Sequence, residues 1–401
     1  MTALEEIIRA EIRAAGPMRF DRFMEMALYQ PGTGYYAKIG GPSPIGRSGD
    51  FFTSVSVGPL FGRLLARQFF QMWRELGTPN PFWMIEQGAH DGQLACDILE
   101  WCREETPEFF EAIHYAIVQS SGAASMHQKC APETGIIARM TWMENLAALA
   151  TEEPVGVFFS NELVDAFPVR SIIYRSGQWL EQHVAIDGEN LRWTNRAIDD
   201  AELSAAIVAL PLPAIEGYMT EINLRARQWI AEVGRALHRG YVLTIDYGHP
   251  ASLYYAPHRT HGTLTAFVKH HGIDDVLTEP GMRDITAHVD FTALAQAGDK
   301  AGLSTLGFLD QQRFLLGIAH DELSGADGPR VEIQENLGAW HTLTHPEHLG
   351  ADFFALLQAK NAPANLDGLR FARPNDEVGT RVPSRPRTNG TAETPVPTLP
   401  Q

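Results

Sequence analysis

The sequence predicts an α/β fold: a mostly parallel sheet with helices on both faces, an N-terminal helical extension and an inserted antiparallel segment. Three observations predict it. From residue 82 onwards, short apolar runs alternate with stretches of helical periodicity, as strands joined by crossover helices do. The run "FWMIE" passes into "QGAHDG" and then into a helical stretch, which is the strand–turn–helix corner of nucleotide-binding sheets. The segment "RSIIYRSGQWLEQHVAIDGENLRWTN" alternates apolar and polar residues around Ser176-Gly177 and Asp187-Gly188, the period of two that marks antiparallel strands.

Taken in order, residues 3–15 set Leu4, Ile7, Ile8 and Ile12 at helical spacing, and Gly16-Pro17 ends that helix. A second helix is expected over 20–28. Residues 29–54, "YQPGTGYYAKIGGPSPIGRSGDFFTS", are too broken by Gly and Pro for a helix, and long loops inside a domain are often functional; a lid is expected here. Residues 57–76 carry Leu60, Phe61, Leu64, Leu65 and Phe69 on one face and read as a long helix. Strands at 82–86, 114–119 and 155–162 then alternate with helices at 93–104 and 123–132. Two or three antiparallel strands follow near 170–195, then a helix at 221–238, a buried strand at 240–248 and a helix at 286–301. Residues 313–319 fit either a last strand or the start of a helix. Beyond about 372 the chain is Pro/Thr-rich with almost no large apolar residue, and it reads as a disordered tail. The resulting division is 1–56 (helices and lid-like loop), 57–170 (cofactor-binding core), 171–220 (β-rich insert on the substrate side), 221–371 (remainder of the core) and 372–401 (tail).

Composition narrows the function. A net charge of -17 argues against a nucleic-acid footprint, which needs clustered Lys and Arg, and leaves room for a cationic protein or peptide partner. No apolar run approaches the length of a membrane span. Cys96, Cys102 and Cys130 form no CxxC pair, and with no signal-peptide pattern at the N-terminus the expectation is a reduced, cytoplasmic setting. Cys96 and Cys102 read as packing residues of a helix. His258, His261, His270, His271 and His288 match no common ligand spacing, so no metal site is expected. No nucleophile elbow surrounds Ser54, Ser56 or Ser160, which removes a hydrolase of that type. The Gly-x-Gly-x-x-Gly spacing of a dinucleotide oxidoreductase is absent.

Several stretches taken together resemble the MidA-like methyltransferases, over residues 1–320. "RFDRFMEMALYQPGTGYY" is similar to that family's opening helix and Pro-x-x-Gly-Tyr-Tyr turn, and "GDFFTSVSVGPLFG" to its Gly-Asp-Phe-x-Thr segment. "IEQGAHDGQLACDIL" looks like its Glu-x-Gly-Pro-Gly-x-Gly-x-Leu corner, and "SNELVDAFPV" like its Asn-Glu-x-x-Asp-Ala-x-Pro segment. "TIDYG", "GTLTAFVKH" and "PGMRDITAHVDF" complete the series in order.

The resemblance implies a Rossmann-like class I methyltransferase that uses S-adenosylmethionine, with a protein arginine, or else a small molecule, as acceptor. It implies that Glu86, Gly88 and Gly92 line the cofactor's amino-acid end, with His90 in the same loop. Gln119 would face the ribose, and Gly49, Asp50 and Thr53 would close over the pocket. It sets Asn161, Glu162 and Asp165 on the acceptor side. Two positions depart from the family pattern: His90 stands for its middle glycine and Gln119 for its ribose-binding acid. They give weight to a second reading, a methyltransferase-like scaffold or assembly factor with weak or no catalysis. Asp246-Tyr247-Gly248, at the end of the strand "YVLTI", either lines the cleft or forms a structural turn.

Overall fold

The computed structural model describes residues 2–37, 53–119, 136–149, 151–268, 271–273, 275–373 and 378. Gly49, Asp50, the helix expected at 123–132 and nearly all of the expected tail lie outside these residues. Val378 is described, and it is buried against the core.

The chain opens with α1 (Ala3–Ala15), β1 (Met18–Arg19) and α2 (Phe20–Tyr29). Thr2 caps α1 by accepting the Glu5 N–H, and Gly16, at φ 87°, ends it in a conformation that costs glycine little. The central layer is built from α3 (Leu60–Glu75), β2 (Phe82–Gln87), α4 (Gln93–Glu105), α5 (Pro107–Ala112), β3 (Ile113–Val118), β4 (Met140–Met143) and β5 (Val155–Asn161). The insert follows: β6 (Arg170–Arg175), β7 (Gln178–Asp187), β8 (Asn190–Ala197), α6 (Ala201–Ala209) and β9 (Met219–Ile222). The chain then returns through α7 (Leu224–Ala236), β10 (Arg239–His249), α8 (Ala251–Tyr254), β11 (Thr265–Val268), β12 (His271–Ile273), β13 (Asp284–Thr286) and β14 (Val289–Asp290). It closes with α9 (Phe291–Lys300), β15 (Ser304–Asp310), α10 (Gln311–Leu323), α11 (Leu337–Thr344) and β16 (Phe353–Lys360).

The main sheet has eight strands in the order β15-β16-β10-β5-β2-β3-β4, with β14 added beside β10. β4, β3, β2, β5 and β10 run parallel, and β16 is antiparallel to both β10 and β15. The parallel strands are covered on both faces, which is why β2 and β5 read as nearly continuous apolar runs. One face packs α3, α4 and α10; the other packs α7 and α9 around Trp229. Gly156 lets β5 approach β2: a Cβ there would stand 2.0 Å from the Trp83 carbonyl oxygen.

The insert forms a second sheet, β1-β7-β6-β9 with β8 paired to β7. It packs against α1 and α2, so the N-terminal helices and the insert share one small core. β12, β11 and β13 make a third sheet next to it. One open alternative is resolved, and one strand was not read from the sequence. Residues 313–319 belong to α10, which Asp310 starts by accepting the Arg313 N–H. The last strand is β16, which enters the sheet between β10 and β15.

Strand order reverses between β2 and β5: from β2 the chain first builds outward through β3 and β4, then returns to build through β5 and β10. In open α/β sheets, the crevice at the carboxyl ends of the strands flanking such a reversal is where ligands bind.

Candidate active site

Two loops meet at that crevice. The first follows β2. Gly88 (φ 86°), His90 (φ 47°) and Gly92 (φ 77°) all take the left-handed conformation, so five residues make a full turn before α4 begins. Asp91 starts α4 by accepting the Gln93 N–H at 3.2 Å. Gly88 faces the second loop closely: a Cβ there would lie 3.1 Å from Leu163 Cδ1. Gly92 faces open space. The His90 side chain is partly exposed and leans towards Asp91, with Nδ1 and Oδ1 3.8 Å apart.

Glu86 is the next-to-last residue of β2 and is only 3% exposed. Its Oε2 accepts the Tyr115 hydroxyl at 2.5 Å. Burial pushes the carboxyl up to about 7, against the opposing effect of that hydrogen bond. Gln119 follows β3, and its backbone N–H donates to the Met143 carbonyl at 2.9 Å.

The second loop follows β5. Asn161 Nδ2 donates to Glu162 Oε1 at 3.0 Å, and Glu162 (φ 52°) anchors the turn through its N–H to the Ile245 carbonyl at 2.9 Å. What holds the loop open was not visible as a sequence pattern. Asp246, fully buried at the end of β10, accepts the N–H groups of Leu163, Val164 and Asp165 with one oxygen, at 3.2, 2.9 and 3.4 Å. Asp246 is therefore a clamp beneath the loop, while Tyr247 reaches the site by donating its hydroxyl to Asp165 Oδ2 at 2.5 Å. Asp165 begins no helix, so it is not spent as a cap.

Thr53 and Ser54 come in beside this loop. Thr53 and Ser56 exchange hydrogen bonds in a tight turn. The Ser54 N–H donates to the Glu162 carboxylate, and its hydroxyl donates to Gln311 Oε1 at 3.1 Å. Thr53 is thus brought next to the Asn161-Glu162-Asp165 group.

Two buried carboxylates, Asp165 and Asp246, and the half-buried Glu162 share this small volume. Burial, and then the charge of Asp165, pushes Glu162 up to about 8. Burial raises Asp165 to about 6, with the Tyr247 hydrogen bond opposing. Asp246 is held well above the carboxylate range by burial and then by Asp165. The three cannot easily ionise together. No cationic side chain of the described residues lies against Glu162 or Asp165. Asn161 Oδ1 and Asp165 Oδ1 are buried and accept no hydrogen bond among the described residues. The site thus holds negative charge and acceptor atoms together without a cation.

The histidines divide differently from the sequence reading. His249 and His288 stand 5.2 Å apart behind Tyr247, and burial holds both down at about 4. His341, His345 and His348 cluster with ring centroids 4.5–5.5 Å apart, a grouping that the spacing His341-x₃-His345-x₂-His348 could have flagged. They do not converge on an ion among the described residues, and His345 Nδ1 already accepts the Glu347 N–H. Cys102 is a free buried thiol, whereas Cys96 is disulfide-bonded, which corrects its reading as a packing residue alone.

A parallel sheet with a glycine corner at its reversal point, facing a loop of carboxylates, defines a Rossmann-like enzyme that binds a nucleoside cofactor. The chain belongs to the family described as "Putative S-adenosyl-L-methionine-dependent methyltransferase", whose profile matches residues 64–309. It is 28% identical over 380 residues to the mitochondrial protein arginine methyltransferase NDUFAF7 homolog of Drosophila melanogaster, covering 88% of this chain and 83% of the fly protein. The human mitochondrial protein arginine methyltransferase NDUFAF7 is 26% identical over 401 residues, covering 90% of this chain and 84% of that one. A Burkholderia thailandensis crystal structure bound to S-adenosyl-homocysteine superposes with a TM-score of 0.80 at 33% identity, covering 92% of this chain and 95% of that one.

The protein is an S-adenosyl-L-methionine-dependent methyltransferase, and the scaffold reading is not favoured. The cytoplasmic expectation is corrected: the curated relatives are named mitochondrial. A cysteine count does not distinguish one compartment from another, and Cys96 is itself disulfide-bonded.

The residues present fit the cofactor. The glycines remove side chains where a ligand must approach the corner, the start of α4 turns the positive end of its dipole towards an anionic end, and the buried Asn161 Oδ1 offers an acceptor to a cationic one.

Proposed function

We propose that the protein transfers a methyl group to a guanidinium nitrogen of an arginine side chain in a protein substrate. The observation that carries this reading is the pair of half-buried Glu162 and buried Asp165 next to the glycine corner, with no cation of the described residues against it. The relatives named protein arginine methyltransferases support it.

In this reading Glu86, Gly88, His90 and Gly92 hold the amino-acid end of the cofactor, and Gln119 holds the ribose. Thr53 closes the pocket, and the part expected of Gly49 and Asp50 lies outside the described residues. Bound there, the cofactor supplies a methyl group on a positive sulfur. The chain's own residues do the rest. A guanidinium keeps its proton at neutral pH and attacks poorly unless oriented. Asp165 accepts its N–H groups, and Asn161 and the Ser54 N–H fix the Glu162 carboxylate beside it. As the nitrogen–carbon bond forms and the methyl carbon's bond to sulfur breaks, its electrons staying with sulfur, the nitrogen gives up one proton. Glu162, raised to about 8, suits a base working near neutral pH.

The test is incubation of cellular protein extract with isotope-labelled S-adenosylmethionine and the native protein or its Asp165→Asn variant, followed by mass spectrometry. The expected result is labelled methylarginine with the native protein alone. Label on lysine or on a carboxylate, and none on arginine, would overturn the proposal.

A further inference from the structure

Asp165 accepts a phenol hydroxyl, and so does a second buried carboxylate near it. This second one is Asp284 on β13, 3% exposed, whose Oδ2 accepts the Tyr36 hydroxyl at 2.6 Å. The two come from opposite parts of the chain. Tyr247 belongs to the main sheet. Tyr36 belongs to the Pro31-x-x-Gly34-Tyr35-Tyr36 turn after α2, where Gly34 is needed because a Cβ would lie 2.5 Å from the Gln30 nitrogen.

β13 brings the two pairs together. Asp284 and Thr286 are two apart on one strand, so they share a face roughly 6.6 Å from each other. Thr286 donates its hydroxyl to Tyr247, and Tyr247 donates to Asp165. The Ala287 N–H donates to the Asp165 carbonyl at 3.0 Å, stitching the end of β13 to the loop. Tyr29 completes the wall: its ring stacks on Tyr36 at 5.7 Å and 22°, and its hydroxyl donates to the Ala166 carbonyl at 2.9 Å. The hydroxyls of Tyr29 and Tyr36 both feel the charges of Asp165 and Asp284. Asp165 Oδ1, on a residue only 6% exposed, accepts no hydrogen bond among the described residues.

Two carboxylates and a pair of stacked rings match a flat cation with N–H groups on more than one edge. A guanidinium meets that description; an ammonium, a compact point charge without a face, meets it poorly. We propose that Tyr36 and Asp284 complete the acceptor site. A guanidinium engages Asp165 with one edge and Asp284 with another, against the rings of Tyr29 and Tyr36, while Tyr36 and Tyr247 act as positioning residues. This rests on the guanidinium reading above and adds to it the N-terminal turn and β13, neither of which belongs to the cofactor corner.

The test uses the full chain saturated with S-adenosyl-homocysteine, with Nα-acetyl-arginine amide and Nα-acetyl-lysine amide as probes in ligand-observed NMR. The native protein is expected to prefer the arginine probe. Asp284→Asn and Tyr36→Phe are each expected to weaken that probe about tenfold, equivalent to ~1.4 kcal/mol, and to erase the preference over lysine. Asp284→Glu should restore part of the preference. Affinity for S-adenosyl-homocysteine, unchanged in each variant, shows that the fold and the cofactor corner survive. If Asp165→Asn weakens the arginine probe while the Asp284 and Tyr36 variants do not, the second carboxylate is no part of the site and the proposal falls, although the guanidinium reading stands. If the native protein prefers the lysine probe or binds neither, the guanidinium reading itself fails.

Discussion

The two sides of the crevice recognise by different means. The corner between β2 and α4 works with backbone: left-handed turns, absent side chains and the start of a helix, with its one buried acid already hydrogen-bonded by Tyr115. The opposite side works with charge held out of water: Glu162, Asp165 and Asp246 crowd into one volume, with Tyr247 bonded to Asp165 and no cation of the described residues opposing them. A backbone site tolerates an unusual side chain so long as it turns away from the ligand. A site made of buried charge tolerates little, because each carboxylate sets the ionisation of the next.

The largest expected effect lies on the charged side. Asp165→Asn keeps the shape and removes the charge, so methyl transfer should fall roughly 100-fold or more, as when a preorganised electrostatic partner is lost. Affinity for S-adenosyl-homocysteine, measured by calorimetry, should change less than about threefold if the two sides are independent. A matching collapse of cofactor affinity would erase the distinction between them.

Next comes Gly88→Val. The φ of 86° and Leu163 at 3.1 Å leave no relaxed place for the side chain. Strain of ~1–3 kcal/mol should cost about 5- to 150-fold in S-adenosyl-homocysteine affinity. Native affinity in this variant would mean that the corner is not where the cofactor lies.

The pH dependence should separate activity from stability. Transfer should rise between about pH 6 and about pH 8, as Asp165 and then Glu162 lose their protons. Stability should move the other way. These carboxyls have folded values above their unfolded ones, so in that window the folded state binds more protons than the unfolded state. Stabilisation is therefore fullest below the unfolded values and declines as pH climbs through about 8. Thermal melts of the ligand-free protein at a series of pH values, set beside rates, check both slopes; a melting temperature that climbs across the window would contradict the burial of these groups.

The smallest effect concerns His90→Gly. Relief of a left-handed conformation should raise stability by about 1 kcal/mol in denaturant titration. A loss instead would mean that the imidazole makes a contact worth more than its strain.

The backbone side was more legible than the charged side. A glycine turn is a local pattern, and Glu86, Gly88 and Gly92 could be picked out because strand, turn and helix are consecutive. Asn161, Glu162 and Asp165 were legible as a motif, and the structure sets them together in one loop. Their supports were not: Asp246 lies 81 residues beyond Asp165 in the chain, and Asp284 meets Tyr36 across 248. No window of sequence contains such pairings. The fold shows the same limit. The alternation that revealed the parallel strands stops after β10, and "FLLGIA" is an apolar run too short to tell strand from helix; Asp310, the cap of α10, was the discriminating residue. β16 went unread because it follows two helices and pairs antiparallel, outside the repeating pattern.

That strand has a consequence for how the molecule is made. β16, near the end of the described chain, lies between β10 and β15 rather than at an edge of the sheet. During synthesis β10 and β15 emerge first, and each waits with an open backbone ladder until residues 353–360 leave the ribosome. The nascent chain therefore passes through a stage in which two apolar strands offer unpaired edges, the state most prone to pairing with other chains. A stop codon before residue 353 would trap the protein in that stage, with the cofactor corner already translated and the sheet that should support it still divided.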